Sequence, residues 1–344
     1  MKLIKTEDAV GHVLCHDITQ IIKGVTKDAR FRKGHIITEE DIPVLLSLGK
    51  DNIYVWENDD SMMHENDAAE VLCAICKGEN MSRGDVKEGK IELSAECDGV
   101  LKIDREKLRD VNSFGQMMIA TRHGDFPVKK GDKLAGTRII PLVIEKEKMD
   151  EVGELAGDEQ IMKVVPYKAH KVGIVTTGNE VYYGRIEDTF TPVVRSKVEE
   201  FGAVVAGHKI CNDDNDFIER SIRELLDDGC DMVLCTGGMS VDPDDKTPLA
   251  IRNVCGSVVT YGAPVLPGAM FLLAYYGENK IPVMGLPGCV MYSKRTIFDI
   301  VLPRIMTGEV LTKEDFDRLG EGGLCLNCEI CTYPNCGFGK GGIC

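Results

Sequence analysis

The chain of 344 residues sets 41 Lys and Arg against 56 Asp and Glu, a formal net charge of −15, which excludes nucleic acid or an anionic membrane surface as a bulk partner. With 43% hydrophobic residues it can bury the cores of two or three domains. No apolar run approaches the length of a membrane span and the opening Met1–Lys5 is unlike a signal segment, so the fourteen cysteines are expected to be cytoplasmic thiols or metal ligands.

Residues 1–56 open with an alternating stretch to Ile22. Thr38 with Asp41 predicts the N-cap of a helix through Leu48, and Lys50–Trp56 reads as a closing strand. His12, Cys15, His16 and His35 lie in this segment, where isolated histidines are more often packing or surface residues than metal ligands. Glu57–Asn66 is acidic and reads as a linker. Asp67–Cys76 then predicts a short amphipathic helix bearing Cys73 and Cys76, a CxxC whose helical spacing equally suits two thiols facing a core. From Gly78 to Ile144, alternating apolar residues and Gly/Asp/Lys turns predict a small β-barrel-like unit with one helix, Asp104–Val111. Glu145–Glu159 is helical in pattern and stops before Pro166.

Strand and helix alternate from Tyr167. Strands are predicted at Val172–Thr176, Ala203–Ile210, Met232–Cys235, Ser257–Tyr261, Phe271–Tyr276 and Ile281–Met284. Helices are predicted at Pro192–Phe201, Phe217–Asp228, Pro248–Val254 and Val290–Met306. Helical crossovers of this length require a mostly parallel sheet. The expected fold class is therefore α/β, a doubly wound mostly parallel sheet over 166–310. A β-rich N-terminal region precedes it, either whole (1–165) or as two subdomains (1–60 and 67–145), and a Cys-rich tail (311–344) follows.

Three of these strands end in glycine turns. Thr177-Gly178 is followed by Glu180. Thr236-Gly237-Gly238 is followed by Ser240, Asp242, Asp244, Asp245 and Thr247, and the third turn is Gly285-Leu286-Pro287-Gly288. Glycine lets backbone approach a ligand closely, and a helix starting just beyond directs its free N–H groups at an anion. Three such turns at one end of a sheet predict one polar cleft for an anion and a divalent cation.

In order and spacing, Thr177-Gly-Asn-Glu180, Thr236-Gly-Gly-Met-Ser240 with Asp245-Lys-Thr-Pro248, and Gly285-Leu-Pro-Gly288 resemble the molybdopterin-binding domain of the MoeA/MogA family, whose members assemble the molybdenum cofactor. The resemblance covers about 170–306 well, and 1–165 resembles the MoeA-like branch more loosely. It implies a pterin phosphate held by Thr177, Gly178, Thr236, Gly237, Gly238, Ser240, Thr247, Gly285, Pro287 and Gly288. It further implies carboxylate chemistry at Asp245, Glu180 and Asp188 with Mg²⁺, and a homodimer, because the family builds its cleft between subunits. The implied reaction is molybdenum transfer: adenylylated molybdopterin plus molybdate gives molybdenum cofactor and AMP.

The chain also departs from the family. Leu266-Pro-Gly-Ala-Met270 lacks both lysines of the family's Lys-Pro-Gly-Lys-Pro, Phe190 replaces an Asn, and Asp242 replaces a Gly. Losing two cations from an anion site weakens direct anion contacts. Three functions stay open: a molybdopterin molybdenumtransferase, a non-catalytic molybdopterin carrier or sensor serving a molybdoenzyme, and a CinA-like nucleotide pyrophosphatase.

Within the tail, Cys325-x₂-Cys328-x₂-Cys331-x₄-Cys336 stands in a Gly-rich stretch that ends at Cys344. Four thiols on a segment too short to pack a core of its own predict a metal site, an iron–sulfur cluster or zinc. Cys211, Cys230, Cys235, Cys255 and Cys289 fall in or beside strands and helices and read as core.

Overall fold

The computed structural model describes residues 1–22, 26–55, 59–240, 242–243 and 245–341. Trp56, Asp244 and Cys344, each singled out in the sequence, lie outside the described residues. The chain forms two compact units, one of 1–96, 103–122 and 131–163, the other of 97–102, 123–130 and 164–344. Two short segments from the middle of the 1–165 region thus belong to the second unit, and so does the tail.

In the first unit, Lys2–Lys5 pairs antiparallel with Asn52–Val55, and Ile18–Ile22 with Thr26–Phe31, over a core that includes Leu14, Ile18, Leu45 and Ile53. The helix Asp41–Ser47 starts where Asp41 Oδ2 accepts both the N–H and the O–H of Thr38 at 2.9 Å. Asp41 also takes His35 Nε2 at 2.7 Å, so that histidine serves a helix start. The expected linker instead contains a strand, Met62–His64, and the next helix begins at Glu65. Four strands from within 81–139 form an open antiparallel sheet in place of the expected barrel, ordered Met81–Arg83, Lys90–Ala95, Lys133–Ile139, Met117–Thr121, while Pro127–Val128 pairs with Gly99–Ile103 in another sheet. The sheet stays open because helix Glu65–Cys76 packs on it and covers its apolar face. Cys73 and Cys76 are buried on that helix, and burial pushes the Cys76 thiol up to about 12, which leaves it a protonated core residue.

The second unit is built on a six-stranded sheet: β1 (Lys171–Thr177), β2 (Val204–Cys211), β3 (Met232–Thr236), β4 (Val258–Tyr261), β5 (Leu272–Tyr276) and β6 (Ile281–Leu286). Its order is β2-β1-β3-β6-β5-β4, parallel from β2 to β6 and antiparallel at β5 and β4. Side chains alternate across a strand, so each apolar run feeds two cores. Val172, Ile174, Met232 and Leu234 face α1 (Phe190–Glu199) and α4 (Ile297–Met306) on one side. Val175, Val233 and Cys235 face α2 (Asn215–Asp227) and α3 (Thr247–Cys255) on the other.

The expected single helix Val290–Met306 is interrupted. A short 3₁₀ turn, Gly288–Met291, is followed by α4 starting at Ile297. Thr296 and Asp299 form a capping box, each satisfying a backbone N–H of the other's turn, and this fixes the start. Among the described residues, no helix is long and apolar enough to cross a membrane.

Candidate functional site

The parallel ladder puts the carboxyl ends of β1, β3 and β6 side by side, with Thr176 opposite Thr236 and Thr236 opposite Leu286. Thr177 Oγ1 lies 3.0 Å from Thr247 Oγ1, and Thr247 donates to the Gly237 carbonyl at 2.9 Å. This clasp ties the first turn to the second and holds both at the N-terminal end of α3. Gly237 and Gly238 sit at φ 84° and 54°, a region L-residues with a Cβ seldom occupy. Beyond them Asp245 Oδ2 accepts the Ser240 N–H at 2.7 Å, closing the loop, and among the described residues its Oδ1 accepts no hydrogen bond. Tyr261 of the antiparallel edge donates to the Met239 carbonyl at 3.1 Å, and burial followed by the charge of Asp245 raises its phenol above the ordinary range.

Around the first turn, Gly178 has φ 138° and the exposed Glu180 carboxylate folds back against it. Asp213, from the acidic run that leads into α2, accepts the Asn179 N–H at 3.0 Å and steadies the turn. Thr236 Oγ1 and Asn212 Oδ1, at the ends of β3 and next to β2, are buried without a partner among the described residues. Buried polar groups are normally paired, and these two unpaired atoms lie at the carboxyl end of the sheet.

Two expected site residues have other work. Asp188 accepts the N–H groups of Phe190 and Thr191 at 2.9 and 3.0 Å, and the hydroxyls of Thr191 and Thr176 at 2.6 and 3.0 Å. Burial alone would raise its carboxyl, but these hydrogen bonds together outweigh it and hold the carboxyl below its ordinary value. Asp188 therefore caps the start of α1, and its oxygens are saturated. Gly285 lies inside β6, where a Cβ would meet Met239 Sδ and Cε at 2.5 Å, so it is a packing glycine under the second turn. Pro287 is buried beside it and Gly288 is exposed beyond the strand end.

His208 on β2 was not legible as part of this network. Its Nε2 is 3.0 Å from Thr176 Oγ1, 3.1 Å from Thr191 Oγ1 and 3.4 Å from Asp188 Oδ2. Burial lowers its pKa below 6.5, Asp188 opposes that, and Arg195 adds to it. The native state thus favours the neutral imidazole, so the unfolded chain takes up the proton first as pH falls. The stability that His208 supplies is whole above its unfolded value of about 6.5 and is lost below it. Asp188, held low, adds a further loss below about 3.9. Melting temperature is expected to fall between about pH 7 and about pH 5, and His208→Gln should flatten that slope. Equal slopes in thermal melts of both proteins would exclude His208 as the source.

In the tail, Cys325, Cys328, Cys331 and Cys336 all line one cavity of 220 Å³. The Cys325 N–H donates to the Leu266 carbonyl and the Leu266 N–H to the Gly323 carbonyl, both at 2.8 Å. Leu266, which opens the segment without the two lysines, therefore pairs with the tail at Leu324. His12, Cys15, His16 and His35 do not converge, and among the described residues no three His, Cys, Asp or Glu side chains surround a point fit for one ion.

Comparison with known proteins follows the same division. Residues 3–57 match a family described only as a domain of unknown function. The CinA-like protein of Mycobacterium avium (strain 104) is 35% identical over 95 residues, 28% of this chain and 22% of that protein. The chain thus spans about a fifth of the length of the curated relatives it matches. The solved molybdopterin biosynthesis enzyme MoaB from Thermus thermophilus is 23% identical, covering 41% of this chain and 98% of that one, with a TM-score of 0.35. For the solved CinA from Thermoplasma acidophilum the figures are 22%, 35%, 89% and 0.30. Residues 173–307, which carry all three strand-end turns, match the family described as a probable molybdopterin binding domain.

Proposed function

We propose that this protein binds the phosphate-bearing end of molybdopterin at the three strand-end turns and acts in molybdenum cofactor assembly, in the manner of the MoeA-like branch. The observation that carries this is the Thr177–Thr247–Gly237 clasp with Asp245 closing the adjoining loop. It gathers backbone N–H groups, hydroxyls and a carboxylate at adjacent parallel strand ends, where α/β sheets hold phosphorylated ligands. Thr236, Gly238, Ser240 and Gly288 complete the cradle. Mg²⁺ binds proteins through one or two carboxylates plus substrate phosphates, and Asp245 with Glu180 fits that donor set, whereas the saturated Asp188 does not. Such an ion would neutralise charge as molybdate meets the pterin. A homodimer, a molybdoenzyme as recipient and a cytoplasmic setting go with this proposal.

Purified protein given adenylylated molybdopterin, Mg²⁺ and molybdate is expected to release AMP in a molybdate-dependent way. Asp245→Ala should cut that release roughly a hundredfold by removing the cation ligand and freeing the Ser240 loop. Pterin binding without AMP release would make the protein a carrier or sensor, in keeping with the absent lysines. The 35% identity to CinA-like proteins supports a second reading, a nucleotide pyrophosphatase, over the matched segment. Hydrolysis of a free nucleotide with no pterin present would favour it. No pterin binding at all would sink the proposal.

A further inference from the structure

The four tail thiols stand around a space and do not converge on a point. Their cavity of 220 Å³ is far larger than the roughly 10–15 Å³ that a single water needs on the same measure. We propose that it binds a [4Fe–4S] cluster through Cys325, Cys328, Cys331 and Cys336, independently of what the strand-end turns bind.

A zinc ion draws its sulfurs to about 2.3 Å from one centre, hence about 4 Å from one another. No group of three potential ligands is so arranged among the described residues. The two x₂ gaps match the first three ligands of cluster-binding loops, and the fourth thiol is assigned to Cys336 because it lines the same cavity. The walls are held by the domain core. Tyr333 donates its O–H to the Asp299 carbonyl at 2.8 Å, its ring sits edge-on to Phe126 and Phe338, and Phe338 is 4% exposed. Cys325 and Cys336 pack against that core, while Cys328 and Cys331 face solvent. The cavity therefore has an apolar floor and an open rim through which a cluster could be loaded.

Charge supports the same occupant. Binding a [4Fe–4S]²⁺ core releases four thiol protons and leaves a net charge of about −2. Lys294 and Arg295 line the same cavity. Lys294 Nζ donates to the carbonyls of Cys328 and Glu329 at 3.0 and 2.7 Å, and Arg295 lies over the ring of Tyr333, 5.0 Å from its centroid. Lys294 beside one ligand, with Arg295 on the same wall, offsets part of a charge that a chain of net −15 would otherwise repel.

The full chain, reconstituted anaerobically with equal amounts of Fe²⁺ and Fe³⁺ and with sulfide, so that two ferrous and two ferric ions and four sulfides make the 2+ core, is expected to hold about four iron atoms and about four acid-labile sulfides. Its visible absorption should bleach with dithionite, with an electron paramagnetic resonance signal appearing on reduction. Cys328→Ser and Cys331→Ser, both at exposed positions, should each lower bound iron roughly tenfold while far-ultraviolet circular dichroism stays unchanged. One zinc per chain with no iron uptake would overturn the proposal. So would iron retained in full by both variants, and a stoichiometry of about two irons would overturn the four-iron assignment.

Discussion

Replacing Asp299 by alanine is expected to destabilise the second unit by about 3–5 kcal/mol. Asp299 is the acidic half of the capping box of α4, and its side chain is only 4% exposed. Oδ2 accepts the Thr296 N–H at 2.8 Å, while Oδ1 takes Lys197 Nζ at 2.6 Å and Arg295 at 2.9 Å. Truncation removes the cap and strands two cations in a region of low dielectric, where an unpaired charge costs far more than the pair contributes. Asp299→Asn keeps one acceptor for the Thr296 N–H and should recover only the capping share, about 1 kcal/mol. Denaturant titrations of the three proteins measure this. A loss under about 1 kcal/mol for the alanine variant would show that Lys197 and Arg295 find water when released.

The second large effect concerns Gly237→Ala. At φ 84° the alanine pays about 1–2 kcal/mol in backbone strain, and its Cβ would sit 2.1 Å from the Thr177 carbonyl oxygen. That oxygen cannot retreat, because β1 is held in parallel ladders on both sides. The combined cost is roughly 2–5 kcal/mol, and the turn can relieve it only by opening the Thr177–Thr247–Gly237 clasp. Pterin affinity should therefore fall more than global stability does. Gly184→Ala is the matched control, with φ 67° and nothing within 4 Å of its Cβ, so it carries the strain without the collision. Calorimetric titration with pterin alongside thermal melts separates the two costs. Equal affinity in wild type and Gly237→Ala would exclude this turn from the binding site.

Position in the sequence predicted some of this architecture well. All six strands of the large sheet in the second unit lie within a residue or two of their expected places, and unbroken apolar runs such as Met232–Cys235 announced strands covered on both faces. The three glycine turns were visible because glycine at a strand end leaves a local mark. Asp188 looked like its neighbours Glu180 and Asp245 as a carboxylate near a turn. What separates it is the convergence of Thr176, Thr191 and His208 from three elements, which local pattern does not encode. Gly285 is similar: a glycine before Leu-Pro-Gly reads as part of a ligand loop until Met239 is found resting on it.

Elsewhere the misreadings share a cause. The 81–139 segment alternates as a barrel would, and only helix Glu65–Cys76 lying on the sheet decides that it stays open. The break before α4 was readable in principle from Thr296-x-x-Asp299, but the apolar run from Val290 masked it. The sequence by itself determined the six strands of the sheet over 171–286, the three helices α1, α2 and α3, the three strand-end turns and the four tail thiols, since each depends on residues within a few positions of one another. Tertiary structure alone decided which carboxylate caps a helix, which glycine packs, and that the four thiols surround a cavity against Tyr333 and Phe338, because those outcomes rest on contacts between residues far apart in the chain.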